Sequence, residues 1–333
     1  MNIPIPIPLT DQYARQISYL RISVTDRCDF RCIYCMGEDI KFAPRKDILT
    51  LEELYQVATA FVKLGVRKIR ITGGEPLVRK NIVWLLEKLG RLSMLEELVL
   101  TSNGSQLETL AAPIRTAGVN RLNISLDSLD PIRFKKMTRV GDLDKVLRGI
   151  HAAQQQDFNA IKINSVIMRN HNDDEILPLA QFAVDNGFDI SYIEEMPMGA
   201  MGNHRRDISF YSSDEVRDTL TNRFSLLASE ETTGGPSRYY HVQGTQTRIG
   251  FISPYSHNFC DSCNRVRLTA QGRLLLCLGQ EHSVDLRQVL RGTEGVAGLF
   301  RHISQGMAIK PQGHEFSRNQ PFAVQRHMNV TGG

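Results

Sequence analysis

The stretch Leu20-Arg-Ile-Ser-Val-Thr-Asp-Arg-Cys-Asp-Phe-Arg-Cys-Ile-Tyr-Cys35 decides how the chain is read. Its first six residues alternate, so Leu20, Ile22 and Val24 share one face of a strand while Arg21, Ser23 and Thr25 share the other. The strand runs into three cysteines, Cys28, Cys32 and Cys35, spaced C-x3-C-x2-C, with the aromatic Tyr34 before the third. Three thiolates can hold three corners of a cubane iron–sulfur cluster, which normally takes four protein ligands, and leave its fourth iron open. A zinc site of three thiolates needs a fourth ligand, and no histidine occurs between residues 1 and 150.

The same alternation recurs along the chain. Strands are expected at Lys68–Thr72, Glu97–Thr101, Arg121–Leu126, Ala160–Met168 and Asp189–Glu194, with helical segments near 50–64, 79–92, 105–117, 142–155 and 173–186. Thr50 and Glu53 form a capping box ahead of the apolar stripe Leu51, Leu54, Ala58, Phe61 and Val62, and Gly65 ends that helix. Six strands separated by helices predict a parallel sheet with right-handed crossovers. Ile69 and Ile71 oppose Arg70 and Thr72; Leu122, Ile124 and Leu126 oppose Asn123 and Ser125; Ile161 and Ile163 oppose Lys162 and Asn164. A complete eight-stranded barrel fills its interior with branched apolar side chains, whereas Arg21, Arg70 and Lys162 cannot be buried unpaired. The pattern predicts an α/β fold, an incomplete (β/α)6 TIM-like barrel whose wide lumen holds a polyanion. The alternative is that these residues are solvated positions of an ordinary open sheet.

The chain has 333 residues, 41% hydrophobic and 23% charged, and no apolar run approaches a membrane span. Met-Asn-Ile-Pro-Ile-Pro-Ile-Pro at the N-terminus reads as an extended arm and not a signal peptide. A cytoplasmic location and no membrane partner are expected. Six cysteines in a reducing compartment are not expected to pair as disulfides. They fall into two triplets, Cys28/Cys32/Cys35 and Cys260/Cys263/Cys277, which favours metal or cluster ligation. The net charge of +4 suits an anionic small ligand as well as nucleic acid.

Beyond Met196 the character changes. Residues 197–206 read as a loop, a helix runs from Ser213 to about Phe224, and short strands are expected at Arg238–Val242 and Thr247–Ile252. The boundary falls near 200–212, with residues 1–206 as the barrel and 207–333 as a C-terminal region carrying the second triplet. That triplet, Cys260-x2-Cys263-x13-Cys277, encloses Asn264-Arg-Val-Arg267, where Val266 separates two arginines on one strand face. By spacing alone it is also compatible with a zinc knob completed by His257 or His282. Thr72-Gly-Gly-Glu-Pro76 follows the second strand, where glycines allow close approach of backbone to a ligand. Thr101-Ser-Asn-Gly104 and Ser125-Leu-Asp-Ser128 end the third and fourth strands, at the edge where barrel enzymes build their sites. Asn103-Gly104 also suits a plain turn, and Asp127-Ser128 a helix cap.

On the first triplet with Tyr34, and on Gly73-Gly-Glu-Pro76 one strand later, the chain resembles the radical S-adenosylmethionine superfamily. The resemblance implies a [4Fe-4S] cluster on Cys28, Cys32 and Cys35, and S-adenosylmethionine at its open iron. Contacts to that cofactor are implied for Tyr34, Gly73, Gly74, Glu75, Asn103, Ser125 and Met196. Reductive cleavage then yields a 5′-deoxyadenosyl radical, with the cofactors carrying the hard chemistry.

The second triplet and its Arg-Val-Arg insert narrow the resemblance to the GTP 3′,8-cyclase family, over about residues 11 to 333. A second [4Fe-4S] cluster on Cys260, Cys263 and Cys277, approached by guanine, is implied. So is GTP binding by Arg21, Arg70, Thr101, Lys162, Arg265, Val266 and Arg267, with Arg265 and Arg267 joining the first triplet in catalysis. The reaction implied is cyclisation of GTP to (8S)-3′,8-cyclo-7,8-dihydroguanosine 5′-triphosphate, the first step of molybdenum cofactor biosynthesis. A homodimer, an electron donor such as flavodoxin or ferredoxin, and no nucleic-acid partner are further implications. Gly332-Gly333 matches the family's double-glycine tail, which reaches into the site. One departure stands out: many relatives carry Arg where this chain has Ser191, ahead of Tyr192-Ile-Glu194. One lumen cation is therefore missing, and its role is either dispensable here or filled by another residue such as Arg205 or Arg206. The competing readings are a radical S-adenosylmethionine enzyme acting on a peptide, and a zinc-binding or RNA-binding module.

Overall fold

The alternating strand ahead of the cysteines forms β1 (Tyr19–Ser23) in a computed structural model that describes residues 8–37, 40–200, 204–317 and 323–332. The N-terminal Ile-Pro arm, up to residue 7, lies outside the described residues. β2 (Lys68–Thr72), β3 (Glu97–Ser102), β4 (Arg121–Ser125), β5 (Ala160–Ile167) and β6 (Asp189–Glu194) follow, each within two residues of its expected span. Between them run α1 (Leu51–Lys63), α2 (Ile82–Gly90), α3 (Leu107–Thr116), α4 (Pro131–Thr138), α5 (Leu143–Gln154) and α6 (Ile176–Asn186).

α1 starts where its cap dictates. Thr50 Oγ1 accepts from Glu53 N at 3.1 Å and Glu53 Oε2 accepts from Thr50 N at 2.7 Å. Gly65, at φ +101°, turns the chain away after it. α4 had no counterpart among the expected helices, because its apolar stripe is short. Its signal was Asp130-Pro131: the Asp130 carboxylate accepts from Arg133 N at 2.6 Å, and proline presets the first turn.

The C-terminal region adds β7 (Leu226–Ala228), β8 (Arg238–Val242), β9 (Arg248–Ile252), β10 (Arg265–Leu268), β11 (Arg273–Leu275) and β12 (Ser283–Asp285). It does not stand apart from the barrel. One 12-stranded sheet runs β12-β11-β10-β1-β2-β3-β4-β5-β6-β9-β8-β7. β10 pairs parallel with β1 at one edge of the (β/α)6 core, and β9 pairs parallel with β6 at the other. The strand between the second-triplet cysteines is thereby laid beside the strand that leads to the first.

The apolar faces of β1 to β6 meet the helices in one core: Leu20, Ile22, Ile69, Ile71, Leu122, Ile124 and Ile163 pack with Leu54, Phe61, Leu86, Ile114 and Val146. Burial of such side chains contributes roughly 1.5–3 kcal/mol each. The other face turns inward, as its alternation requires.

Candidate functional site

Cross-strand register organises that inner face. Arg267 of β10 lies level with Arg21 of β1, which lies level with Arg70 of β2. One pleat lower, Arg265, Tyr19 and Lys68 are level. Across the lumen, Asn123 of β4 lies level with Lys162 of β5, and Ser125 with Asn164.

At the N-terminal end of the strands the charges are paired in a chain. Lys68 bonds Glu97, Arg121 meets Glu97 at 3.3 Å and Asp189 at 4.0 Å, and Asp189 binds Arg248 at 2.6 Å. Above this network the balance fails. Arg21, Arg70, Lys162, Arg265 and Arg267 are all buried, and among the described residues none has a carboxylate within ion-pair distance. Glu194 and Glu195 border the same cavity but are engaged elsewhere. Glu194 accepts from Ser213 N, Tyr255 N and Ser256 N, and Glu195 binds His204 and Arg206. Burial pushes Arg70 down to about 10 and lowers Lys162, Arg265 and Arg267 as well. A cluster of this kind is costly while dry and becomes favourable only around an anion.

The first cysteine loop is held from three sides. Thr138 O and Met137 O, at the end of α4, accept from Arg31 N and Ile33 N at 2.9 Å each. Cys32 O accepts from Cys35 N at 3.0 Å, curling the loop. Tyr34 donates its hydroxyl to Asp127 Oδ2 at 2.7 Å, and Asp127 Oδ1 accepts from Val166 N at 2.8 Å. Burial raises Asp127 to about 6, although the Tyr34 hydroxyl and the Val166 amide pull the other way. Tyr34 thus fixes the loop to the ends of β4 and β5.

Asn103 bonds Asp29 at 2.7 Å, beside Cys28. Its own amide donates to Glu75 Oε2 at 2.7 Å, while Leu77 N and Ser102 Oγ donate to Glu75 Oε1 at 3.0 Å each. Glu75 is fully buried, burial pushing its carboxyl up to about 8, and it is not among the residues lining the cavity. It ties the Gly-Gly turn to the end of β3.

The two glycines of that turn are needed for a contact within the protein. Gly74 N donates to Thr25 O at 2.8 Å and Glu75 N to Arg27 O at 2.9 Å, so the turn lies backbone to backbone on the chain ahead of Cys28. A Cβ on Gly74 would run into Arg27 O and reach 2.9 Å from Asp26 O. Gly74→Ala is expected to cost about 2 kcal/mol and to lower the iron bound per chain, read by thermal melting and iron assay.

The second triplet closes the far wall. Arg15 donates to Cys260 O at 2.8 Å, and Lys310, itself buried, donates to Leu276 O at 2.7 Å with its Nζ 3.7 Å from Cys263 Sγ. Burial would raise Cys263, but Lys310 and Arg265 outweigh it and bring the thiol down. At the first triplet burial wins: Cys28 and Cys32 are pushed well up, and Cys35 up to about 12.

All six cysteines line one cavity of ≈ 240 Å³. Arg21, Arg70, Thr101, Asn103, Ser125, Met196, Arg265, Val266, Arg267, Tyr34, Gly73 and Gly74 line it too. Val266 carries its side chain into the core behind the sheet. Lys162 stands just outside the lining, its Nζ 3.1 Å from the Tyr239 hydroxyl. The donor set fits iron–sulfur ligation: three part-buried thiols at each end, with Phe30 N donating to Cys28 Sγ at 3.3 Å. His257 and His282 are turned to Asp214 and Gln280, so neither completes the second triplet.

The expected replacements for the missing lumen cation are corrected. Arg205 is exposed on Asp207, and Arg206 is held by Glu195 and Met198 O; neither lines the cavity. Ser191 instead meets Ser237 at 2.9 Å, with Gly250 packed against both hydroxyls. The C-terminal turn at Met328–Thr331 lies against the first loop, where Asn329 Nδ2 donates to Asp26 O at 2.8 Å. Arg267 donates to Gly332 O, so the tail reaches the arginines; Gly333 is outside the described residues. Lys68 and Tyr19 were missed by sequence reasoning although strand parity places them with Arg70 and Arg21. Phe259, His314 and Phe316 also line the cavity, but they come from loops that carry no periodic signal.

Comparison with known proteins places these features. The Radical SAM superfamily profile matches residues 22–183, and the Molybdenum Cofactor Synthesis C profile matches residues 188–316. GTP 3′,8-cyclases of Ectopseudomonas mendocina and Pseudomonas entomophila are 56% and 57% identical, each over 98% of this chain and 98% and 99% of their own length. That of Saccharophagus degradans is 55% identical over 98% of both chains. Among solved structures, Streptococcus suis SuiB bound to S-adenosylmethionine superposes with a TM-score of 0.58 at 16% identity, over 96% of this chain and 79% of that one. That likeness concerns the fold.

Proposed function

The chain belongs to the GTP 3′,8-cyclase family, and from that premise we propose how its residues divide the work of converting GTP to (8S)-3′,8-cyclo-7,8-dihydroguanosine 5′-triphosphate, the first step of molybdenum cofactor biosynthesis. It is a radical S-adenosylmethionine enzyme, and such enzymes use an iron–sulfur cluster. Cys28, Cys32 and Cys35 hold that cluster as [4Fe-4S], and Cys260, Cys263 and Cys277 hold a second. Bound at the first site, cluster and S-adenosylmethionine supply one-electron reductive cleavage and a carbon-centred radical.

The protein's own part is to bind, orient and shield. Gly73, Gly74, Asn103, Ser125 and Met196 receive S-adenosylmethionine, with Tyr34 and Glu75 holding the first loop and the Gly-Gly turn in place. Arg21, Arg70, Lys162, Arg265 and Arg267 receive the triphosphate, for which planar guanidinium forks are well suited. Thr101 and the backbone at Val266 border the nucleotide. Fixing the ribose between the two ends of the cavity replaces a random encounter with a near-attack arrangement. The division into residues 1–206 and 207–333 is one of labour, the first making the radical and the second presenting the base. The enzyme works in the cytoplasm as a homodimer, with flavodoxin or ferredoxin as electron donor.

One observation carries this reading: five buried cations without carboxylates lie on the inner face whose cavity is bounded at both ends by cysteine triplets. Anaerobic reconstitution tests it. About eight irons per chain, and 5′-deoxyadenosine formed only with GTP, are expected for two cubane clusters; four irons, or turnover without GTP, would overturn it.

A further inference from the structure

Tyr19 stands among the lumen cations, just behind the residues that line the cavity. It is fully buried, and its hydroxyl has no hydrogen-bond partner among the described residues. The ring is ringed by charge from each neighbouring strand. Arg21 on β1 lies 5.6 Å from its centroid, and Lys68 and Arg70 on β2 lie at 5.3 and 5.6 Å. Arg265 of β10 is its register partner, with Arg267 one pleat above. Glu97 of β3, level with Lys68, is already shared between Lys68 and Arg121. A buried hydroxyl that bonds nothing is a loss the fold tolerates only where something else will meet it.

We propose that Tyr19 is a further substrate-positioning residue: its hydroxyl donates a hydrogen bond to the triphosphate when nucleotide is bound, and its oxygen is the counter-group of the surrounding cations when it is not. The proposal rests on the placement of GTP in the basic lumen. It has a chemical consequence, because the two roles require different protonation. Burial alone would raise the phenol, yet Arg70, Arg21, Lys68 and Arg265 outweigh it and bring the group down to about 7. In the empty site above that pH the oxygen is an anion among cations. A triphosphate arriving on the same cations supplies negative charge in its place, so the phenolate takes a proton from solvent and becomes a neutral donor. Each nucleotide bound is therefore coupled to one proton taken up, with no other bond made or broken.

Isothermal titration of the anaerobically reconstituted protein with GTP tests this. Between about pH 8 and about pH 9 the γ-phosphate is almost wholly ionised, and one linked proton raises Kd by up to about tenfold per pH unit. Titration in two buffers of different protonation enthalpy should report uptake of about one proton per GTP. Tyr19→Phe keeps the ring and its cation contacts, and is expected to abolish both the slope and the uptake. The same slope in Tyr19→Phe as in the unsubstituted protein overturns the proposal. Should the variant fail to take up iron, the unsubstituted protein decides alone: about one proton supports the assignment and none overturns it. Absence of GTP binding at every pH would overturn instead the placement of nucleotide on which it rests.

Discussion

Cys32→Ser is expected to abolish 5′-deoxyadenosine formation while GTP still binds. Cys32 carries two separable functions. Its carbonyl accepts from Cys35 N and Met36 N and so shapes the loop, whereas its thiol lines the cavity and bonds the protein only through the Tyr34 side chain among the described residues. Serine preserves the first and removes the second. A cluster held by two thiolates is poorly retained, so iron should fall from about eight to about four per chain, all of it at the distant triplet. The fold should survive, because the loop is also pinned through Tyr34 to Asp127 and through α4. Iron assay, GTP titration and product analysis on one preparation separate these outcomes. Loss of all iron, or loss of GTP affinity, would show that the two ends of the cavity are not independent.

Arg267→Ala is expected to weaken GTP binding about 100-fold, the loss of roughly 3 kcal/mol of charge-assisted bonding to phosphate. Arg267 is buried level with Arg21 and Arg70, and its lone protein partner among the described hydrogen bonds is the Gly332 carbonyl. Stability should move the other way. Arg267 is held down by burial and by Arg21, Arg265 and Arg70, so removing it relieves repulsion within the empty site. The melting temperature of the nucleotide-free variant is expected to stay level or rise, and the usual shift on adding GTP to shrink. Arg267→Lys keeps charge without the fork and should fall between the two in affinity. A drop in both stability and affinity would mean that the arginine is structural.

Much of the barrel was legible in the chain because its strands carry two messages at once. Ile69 and Ile71 mark the face toward the helices, and Arg70 between them marks the lumen, so one alternation indicated both the core and the site. The six cysteines were equally plain, since two triplets at ligand spacing favour metal or cluster ligation. The capping box at Thr50 and Glu53 depends on neighbours three residues apart, and it formed where local chemistry put it.

What escaped the sequence depends on contacts between distant segments. Gly73 and Gly74 line the cavity, but their close packing on Thr25 and Arg27 had no signal in the sequence, because only the pairing of β1 with β2 brings those residues there. Arg205 and Arg206 had the right charge for the place left by Ser191, but Asp207 and Glu195 claim them. The alternation of residues and the cysteine spacings by themselves determined α/β strands with one basic face and two ligand triplets, because period and spacing are local properties of a chain. That Arg265 and Arg267 stand level with Tyr19 and Arg21, and that both triplets close one cavity, only the tertiary structure decided. Strand order and register are set by packing across more than two hundred residues of intervening chain, on which no local pattern has purchase.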